Sequence, residues 1–277
     1  MRLDLGRRMP RRRSSQRVPG RHLRTPVDPG YLRDLFGRSA RYYDPVNRLT
    51  SLGQVVLWRK EVARAARVEP SDRVLDAFSG PGGLSEQVLP LLQEEGHLVL
   101  ADLSPVMLRE ARLRLRRRST RERGHGGSPP RVDYVAGDLL RDDLGLHDFD
   151  VVMLGWGLRY VPDVGTAVQR VREFLRPRGR LVVLEFTKPR ARNRSAPLHL
   201  YFRRVLPAIG SWLAADKELH EYMSASAAEF LDAQALADAV RCAGFRLESC
   251  RSHIGGIVTI LAAVRDDGGE DDRGYLS

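Results

Sequence analysis

One short stretch of the chain places glycines, a carboxylate and a hydroxyl side chain between a strand-like and a helical segment. It reads Val74-Leu75-Asp76-Ala77-Phe78-Ser79-Gly80-Pro81-Gly82-Gly83. Glycines in such a turn let the backbone approach a ligand closely, and the amide groups at the following helix start face that ligand. Asp102 ends the next strand-like run, where a carboxylate can accept hydrogen bonds from both hydroxyls of a ribose. The arrangement predicts a site for an adenosine-containing cofactor.

Asp76 and Ser85 distinguish between two classes of adenosine cofactor. Dinucleotide-binding loops follow a G-x-G-x-x-G/A pattern prepared for pyrophosphate, and Ser85 at the third small position is a weak departure from it. A carboxylate at Asp76 would repel a pyrophosphate but attract the ammonium and sulfonium groups of S-adenosylmethionine. Gly137-Asp138, after a third strand-like run, adds an acceptor for an adenine amino group. Each feature alone is compatible with an ordinary strand-end turn, but the four in this order favour S-adenosylmethionine.

The surrounding sequence alternates β-type runs with helical patterns, as a parallel sheet flanked by helices requires. The β-type runs are Arg73 to Phe78, His97 to Asp102, Val132 to Ala136, Phe149 to Leu154, Arg180 to Glu185, Phe245 to Ser249 and Ile257 to Val264. Helical periodicity covers Gly83 to Gln93, Pro105 to Arg118, Val164 to Leu175 and Ala233 to Ala243. The last two runs are too close for a crossover helix, so they must form an antiparallel hairpin. We predict an α/β fold with a doubly wound, mostly parallel seven-stranded sheet that ends in this hairpin.

Two segments fall outside this alternation and are placed to enclose a ligand. Residues 31–68 precede the first strand and have the pattern of helices, and residues 187–230 form a long helical insertion after the fifth strand. Ligands of open α/β sheets bind beyond the carboxyl ends of the strands, so both segments are natural lids. We predict one domain over residues 30–265, between a disordered basic tail, 1–29, and a disordered acidic tail, 266–277.

Most of the net charge of +11 belongs to the N-terminal tail, which bears on the choice of partner. Residues 1–25 hold nine arginines against one aspartate, so the remaining chain carries only +3. A nucleic-acid-binding module driven by this tail is one alternative, and a transit peptide or a contact with anionic lipids is another. The chain has only three lysines, so a general preference for arginine explains the charge more simply. We expect no specific nucleic-acid partner.

Composition also bears on the compartment and on metals. No window approaches the roughly 20 apolar residues of a membrane-spanning helix, and the N-terminus lacks the apolar stretch of a secretory signal. The two cysteines, Cys242 and Cys250, are too few for a disulfide framework and lack the spacing of a zinc site. We expect a cytoplasmic protein without a metal, and peripheral contact with the inner face of a membrane stays open.

Several motifs outside the glycine loop are shared with one family of enzymes. They are Tyr43-Asp44-Pro45-Val46-Asn47 with Ser51, Gly53, Trp58 and Arg59, Gly157-Leu158-Arg159 with Val161 and Asp163, Leu184 to Pro189, Arg204 to Pro207, Ile209-Gly210, Asp216, Tyr222, Phe230, and Gly255 to Val258. On these residues the chain resembles the ubiquinone/menaquinone biosynthesis C-methyltransferase family from Phe36 to about Val264. The resemblance implies methyl transfer from S-adenosylmethionine to a ring carbon of a polyprenylated hydroquinone, such as demethylmenaquinol or a ubiquinone precursor.

The residue chemistry and the resemblance together define the predicted site. The predicted cofactor-binding residues are Tyr43, Asp76, Ser79, Gly80, Gly82, Asp102, Leu103, Asp138, Leu139 and Gly155, and the predicted catalytic residues are Arg159, Tyr160 and His220. Arg159 is a candidate to stabilise a ring phenolate, with a structural ion pair as the alternative. His220 and His253 are candidates to relay a proton. Tyr43 and Asp44 either close over the methyl donor or pin the first helices.

The sequence departs from the family's pattern in four places, of which the glycine loop is one. The loop Gly80-Pro81-Gly82-Gly83 stands where the family has Thr and Asp at the second and fourth positions, so the ammonium contact is altered. Tyr160 stands in place of Asn, Tyr42 in place of a basic residue and His220 in place of Tyr. Three of these positions belong to segments expected to face the acceptor. A related methyltransferase for another small phenolic or lipid-like acceptor is therefore the alternative function.

The insertion also carries one apolar stripe at helical spacing. Its members are Leu198, Tyr201, Phe202, Val205, Ile209, Trp212 and Leu213. Packing of a lid explains the stripe, and a wall for a polyprenyl tail or a contact with the membrane interface is the alternative. The partners we expect are a small lipophilic quinol, a membrane surface and, as a further alternative, a second copy of the chain.

Overall fold

Seven strands form one sheet in the order β3-β2-β1-β4-β5-β7-β6. The computed structural model of the chain describes residues 28–122, 128–189 and 217–267. The strands are β1 Arg73–Ala77, β2 His97–Asp102, β3 Arg131–Ala136, β4 Phe149–Gly155, β5 Leu175–Phe186, β6 Phe245–His253 and β7 Val258–Arg265. Strands β1 to β5 pair in parallel, and β7 lies antiparallel between β5 and β6. The predicted mostly parallel sheet with a closing antiparallel hairpin is confirmed.

Helices cover both faces of this sheet. They are α1 Pro29–Thr50, α2 Gln54–Ala66, α3 Ser85–Val88, α4 Pro105–Glu122, α5 Val164–Phe174, α6 Lys217–Glu229 and α7 Ala233–Cys242. Successive strand residues alternate between the two faces, so neighbours such as Val74 and Leu75 enter different hydrophobic cores. One core lies against α5 and α7, and the other lies against α2, α3 and α4. Burial on both faces explains why the central strands are continuously apolar.

The helix predicted over Gly83 to Gln93 is shorter than its periodicity indicates. The α-helical part ends at Val88, and a single 3-10 turn, Leu89–Leu91, replaces the rest. Pro90 has no backbone N–H and its ring crowds the preceding turn, which disfavours a regular α-helix here, although α1 does continue through Pro45. The prediction of one continuous helix was wrong for this reason.

The described elements begin at Pro29 and end at Arg265, and the domain boundaries at residues 30 and 265 stay a prediction. Helix α1 begins at Pro29, and the Asp28 side chain caps it by accepting a hydrogen bond of 3.2 Å from the Gly30 amide. At the other end, Asp267 accepts hydrogen bonds from Arg172 and Arg265. Residues 1–27, 190–216 and 268–277, which include most of both predicted tails and the apolar stripe of the insertion, lie outside the described residues. Among the described helices, none is long and apolar enough to cross a membrane.

A buried carboxylate joins the first helix to the rest of the fold. Asp44 of α1 forms ion pairs with Arg59 of α2 at 2.5 Å, with Arg114 of α4 at 2.8 Å and with Arg48 of its own helix at 3.3 Å. Burial by itself would raise the pKa of Asp44, but the guanidinium groups of Arg59 and Arg114 overcome this effect and hold the pKa below its ordinary value. Of the two roles considered for Asp44, the structure supports pinning of the first helices.

Replacement of Asp44 by asparagine tests this network. Asp44→Asn keeps the shape of the side chain but leaves the buried Arg59 without its counterion, so we expect the free energy of unfolding to fall by about 3 kcal/mol or more. The exposed carboxylate of Asp34 also pairs with an arginine. Asp34→Asn should change the free energy of unfolding by less than about 1 kcal/mol. Urea unfolding measures both variants. Equal losses would contradict a special role for Asp44.

Candidate active site

The glycine loop between β1 and α3 turns sharply at the carboxyl end of the central strand. Phe78, Gly80 and Gly82 all have a positive φ, of 58°, 51° and 73°. A Cβ atom at Gly80 would meet nothing within 4 Å, so the backbone here faces open space. At Gly82 a Cβ atom would lie 3.1 Å from the Ala111 side chain of α4. Gly80 therefore leaves room for a ligand, whereas Gly82 lets the loop pack against α4 and β2.

Asp76 lies buried at the end of β1, beneath the glycine loop. Its Oδ2 accepts hydrogen bonds from the Ser85 amide at 3.0 Å and from the Ser85 hydroxyl at 2.6 Å. Burial raises the pKa of Asp76 to about 7, although the Ser85 hydrogen bonds favour the ionised form. A carboxylate that is costly to ionise in an empty cavity gains a great deal from a cationic ligand beside it. Ser85, which the sequence presented only as a departure from a dinucleotide loop, holds this carboxylate in place.

Asp102 closes the same corner of the site from the end of β2. Its Oδ2 accepts from the Gly80 amide and its Oδ1 accepts from the Ser104 amide, each at 2.8 Å. Burial raises the pKa of Asp102 to about 6, and these two backbone hydrogen bonds oppose that rise. Each carboxylate oxygen has a second acceptor position, so Asp102 can fix the glycine loop and still accept from a hydroxyl.

A cavity opens above these strand ends. Eight of the predicted site residues line it, namely Tyr43, Asp76, Ser79, Gly80, Asp102, Leu103, Gly155 and Tyr160. The wall also includes residues that the sequence did not single out as site residues: Leu32, Arg33, Phe36, Phe78, Pro81, Gly83, Leu84, Ser104, Met107, Trp156 and Gly157, together with Arg59, which was noted only as part of a family motif. The cavity is therefore bounded by α1 and α2 on one side and by the carboxyl ends of β1, β2 and β4 on the other.

Three predicted cofactor residues lie outside the cavity wall: Gly82, which packs against α4, and Asp138 and Leu139. Asp138 accepts a hydrogen bond of 3.0 Å from the Leu140 amide and forms an ion pair at 3.7 Å with Arg141. Leu139 is buried in the core on the α5 side of the sheet. The geometry thus gives Asp138 a turn-stabilising role and Leu139 a packing role. The contact of Asp138 with an adenine stays a prediction.

Arg59 is the most informative residue that sequence reasoning missed. It is only 4% exposed, and its Nη1 is buried without a hydrogen-bond partner among the described residues. The guanidinium lies against Gly83, where a Cβ atom would come within 2.6 Å of the Arg59 Cζ. The sequence signal that could have revealed Arg59 is Gly83. The related family has an aspartate at this position, and a glycine leaves the room that the Arg59 guanidinium fills. A buried guanidinium with a free donor at the cavity wall fits a carboxylate, such as that of S-adenosylmethionine.

Arg159 lies beneath the cavity wall in a fully buried ion pair. Its Nη1 donates to Glu185 Oε1 at 2.5 Å, and its Nη2 donates to the Tyr160 hydroxyl at 2.6 Å. The rings of Tyr160 and Phe186 lie 4.5 Å and 5.1 Å from its Cζ. Burial works against the charge, but Tyr160 and Glu185 raise the pKa of Arg159 above its ordinary value. Two roles were considered for Arg159, a structural ion pair and stabilisation of a phenolate. Both are compatible with this geometry, because the ion-paired guanidinium also holds the Tyr160 hydroxyl in position.

The aromatic side chains of Phe36, Tyr43 and Tyr160 line the cavity, and Tyr222 packs against Tyr160 without lining it. Phe36 of α1 packs edge-on against Tyr160, with ring centroids 5.1 Å apart, and Tyr222 of α6 stacks on Tyr160 at 5.6 Å. Tyr43 packs edge-on against Phe36 at 6.1 Å. Burial raises the pKa of Tyr43 and of Tyr160, and it raises that of Tyr222 to about 12. These phenols stay neutral near pH 7, so they can donate hydrogen bonds but cannot act as general bases.

The histidines predicted to relay a proton are placed differently. His253 lies outside the cavity wall and pairs with Glu61 at 3.0 Å. The backbone of His220 belongs to α6, but its side chain lies outside the described part of the structure. The role of His220 therefore stays a prediction. Within the described ranges, no group of three or more His, Cys, Asp or Glu side chains could hold a metal ion.

The fold is that of S-adenosylmethionine-dependent methyltransferases. Solved structures of similar shape include a carbon methyltransferase, CurJ, with a TM-score of 0.56 at 19% identity over 87% of this chain and 61% of that chain. Another is a TehB-like SAM-dependent methyltransferase from Corynebacterium glutamicum, with a TM-score of 0.51 at 14% identity over 83% of this chain and 98% of that chain.

Sequence relatives narrow the class to one family. The ubiE/COQ5 methyltransferase family model matches residues 25–265. The chain is 31% identical over 227 residues, 82% of its length and 87% of the relative's, to the ubiquinone/menaquinone biosynthesis C-methyltransferase UbiE of Idiomarina loihiensis. It is 29% identical over 234 residues, 84% of its length and 88% of the relative's, to the demethylmenaquinone methyltransferase of Desulfitobacterium hafniense. The chain belongs to the ubiE/COQ5 methyltransferase family, and S-adenosylmethionine is its methyl donor.

The pKa of Asp76 predicts how donor binding depends on pH. Because a cationic donor favours the ionised carboxylate, its affinity should rise by about tenfold between pH 6 and pH 8 and level off above that range. Asp76→Asn should weaken binding and remove most of this dependence, leaving the smaller contribution of Asp102. Calorimetric titration with S-adenosylmethionine measures both effects. Asp238→Asn removes an exposed carboxylate of α7 and should behave as the wild type; a pH-independent wild type would contradict the role of Asp76.

Proposed function

We propose that this methyltransferase acts on a ring carbon of a polyprenylated hydroquinone in quinone biosynthesis, with demethylmenaquinol or a ubiquinone precursor as the acceptor. The observation that carries the proposal is the aromatic wall of Phe36 and Tyr160, which lines the same cavity as the buried carboxylates of Asp76 and Asp102. Such a wall suits a planar aromatic ring, because aromatic pairs gain from edge-on and offset packing. The names of the relatives from Idiomarina loihiensis and Desulfitobacterium hafniense agree with this acceptor class.

The carboxylate side of the cavity would hold the methyl donor. Asp76 would face its ammonium and sulfonium charges, Asp102 its ribose hydroxyls, and the Arg59 Nη1 its carboxylate. The open backbone at Gly80 allows a close approach of the ligand. When bound, S-adenosylmethionine supplies an electrophilic methyl group on sulfur. The protein's own contribution is to orient the two reactants in line and to exclude water between them.

The aromatic side would activate the acceptor through Tyr160. A hydroquinone carbon becomes a strong nucleophile when a ring hydroxyl is ionised, and the neutral Tyr160 hydroxyl can donate a hydrogen bond to that oxygen. Arg159 donates to the same hydroxyl from below and polarises it, so its charge would act through Tyr160. Glu185 holds Arg159 in this position. His220 stays the proposed group for removal of the proton.

A second acceptor class is favoured by one specific observation. Tyr160 lines the cavity and stacks on Tyr222, whereas the resemblance predicted a much smaller asparagine at this position. A bulkier side chain narrows the space for an acceptor ring. Methyl transfer to another small phenolic or lipid-like acceptor is therefore the alternative function. Peripheral contact with a membrane belongs to the proposal in both cases, since either kind of acceptor partitions into lipid.

A labelled-methyl assay tests the proposed function. Purified protein is incubated with methyl-labelled S-adenosylmethionine and demethylmenaquinol, and the product is located by mass spectrometry. We expect label on a ring carbon of the quinol. Donor binding without transfer to this quinol, but with transfer to a simple phenol, would favour the alternative acceptor. Label on oxygen would contradict carbon methylation.

Removal of one hydroxyl group tests the role of Tyr160. Tyr160→Phe keeps the aromatic packing but removes the hydrogen bond to the acceptor oxygen, so kcat should fall about 100-fold while KM changes little. Tyr134→Phe is a matched control, because Tyr134 lies in β3 outside the cavity wall. Steady-state kinetics at saturating donor measures both variants. An unchanged kcat in Tyr160→Phe would show that the hydroxyl takes no part.

A further inference from the structure

Helices α1 and α2 and the turn between them expose several large apolar side chains to solvent. Within the described residues, seven large hydrophobic side chains are exposed, and four of them lie between residues 42 and 57. They are Tyr42, Leu49, Leu52 and Leu57, with exposed fractions of 54%, 49%, 75% and 59%. We call these four residues the apolar apex. Exposed apolar side chains that are scattered singly need no explanation, but a concentration of this kind marks an interaction surface.

Leu52 is held in a conformation that suits other residues better. Its φ of 50° lies in the left-handed region, which glycine and asparagine adopt far more readily than leucine. The side chain is also the most exposed of the seven, so it gains nothing from the core. An apolar side chain kept in a strained and solvated position is a sign of function at that position.

Basic side chains predominate along the segment that carries the apolar apex. From residue 38 to residue 67, every charged side chain classed as exposed is basic, and these are Arg38, Arg41, Arg48, Lys60, Arg64 and Arg67. Four of them pair with acids, namely Arg38 with Glu218, Arg41 with Glu110, Arg48 with Asp44 and Arg67 with Glu248, but these four arginine side chains remain between 53% and 82% exposed. Leu57, Lys60 and Arg64 share one face of α2, since they are spaced by three and four residues.

The outer face of α1 lies opposite the face that lines the cavity. Phe36 and Tyr43 belong to the cavity wall, and a helix turns by about 100° per residue. Arg41 and Arg48 therefore point away from the cavity, on the side where Leu49 is exposed. One helix thus separates the cavity from the surface that carries the apolar apex.

We propose that the apolar apex, with its surrounding basic side chains, docks this protein on an anionic phospholipid bilayer. The leucines would enter the interfacial region, and the arginines and Lys60 would contact lipid phosphates. This inference rests on the proposed function, because a polyprenylated acceptor resides in a bilayer. A second copy of the chain could also cover the leucines, but a two-fold contact would place the same basic side chains against each other. Charge therefore favours the bilayer.

Vesicle sedimentation tests the proposal with the full chain. Vesicles contain phosphatidylcholine alone or with phosphatidylglycerol, and no quinone. The test variant is L49N/L52N/L57N, and the matched control is L91N/L113N, which alters two other exposed leucines. We expect the wild type and the control to bind the anionic vesicles and the test variant to bind at least about tenfold more weakly, since it loses three inserted side chains. Residues 1–25 are the same in all three proteins, so their arginines contribute equally.

Three further measurements keep the result decisive. Asparagine tolerates the φ of residue 52, so the thermal midpoint of the test variant should not fall below that of the control, which rules out unfolding as the cause. Equal vesicle binding by the test variant and the wild type would overturn the proposal. It would also be overturned if light scattering showed that the wild type and the control form an oligomer and the test variant does not. Methyl transfer to a short-chain quinol should be the same in the wild type and the test variant. If neither protein transferred a methyl group, this would count against the proposed function. The vesicle binding would still decide whether the apolar apex docks on a bilayer.

Discussion

The buried carboxylate of Asp44 is the interaction on which the arrangement above the sheet depends. It joins α1 to α2 through Arg59 and to α4 through Arg114. Helix α1 supplies Phe36 and Tyr43 to the cavity, and α2 supplies Arg59. One acid thus sets the distance between the aromatic wall and the glycine loop. Because the partners are charged and largely shielded from water, the helices cannot shift apart without leaving a charge unpaired.

Burial has opposite consequences on the two sides of the cavity. At the strand ends it raises the pKa values of Asp76 and Asp102 toward neutrality, so both carboxylates are sensitive to any positive charge that enters. On the aromatic side it raises the pKa of Tyr160, so the phenol remains a neutral hydrogen-bond donor. The same physical effect therefore prepares one half of the cavity for a cation and the other half for an uncharged ring.

The strands themselves and the corner of the site around Asp76 could be predicted because they depend on local signals. Strands follow from short apolar runs, and a carboxylate at the end of a parallel strand must lie near the glycine loop that follows. Arg59 could not be predicted as a site residue, because its contact with Gly83 joins two segments that periodicity does not relate. The aromatic wall has the same origin, since Phe36, Tyr160 and Tyr222 meet only after α1 and α6 have packed. Pro90 is a different case, because the signal that ends the helix is local. The apolar spacing indicated a longer helix, and the proline ends it early.

The buried carboxylate of Asp76 also bears on how the enzyme completes a catalytic cycle. Methyl transfer leaves a neutral thioether in place of the sulfonium, so a positive charge would be lost beside Asp76, the carboxylate that we propose to face it. In a cavity of low polarity the electrostatic attraction between ligand and protein would then weaken, and the cost of keeping this carboxylate ionised would return. Through this contact the proposed site would hold the spent donor less firmly than the fresh one.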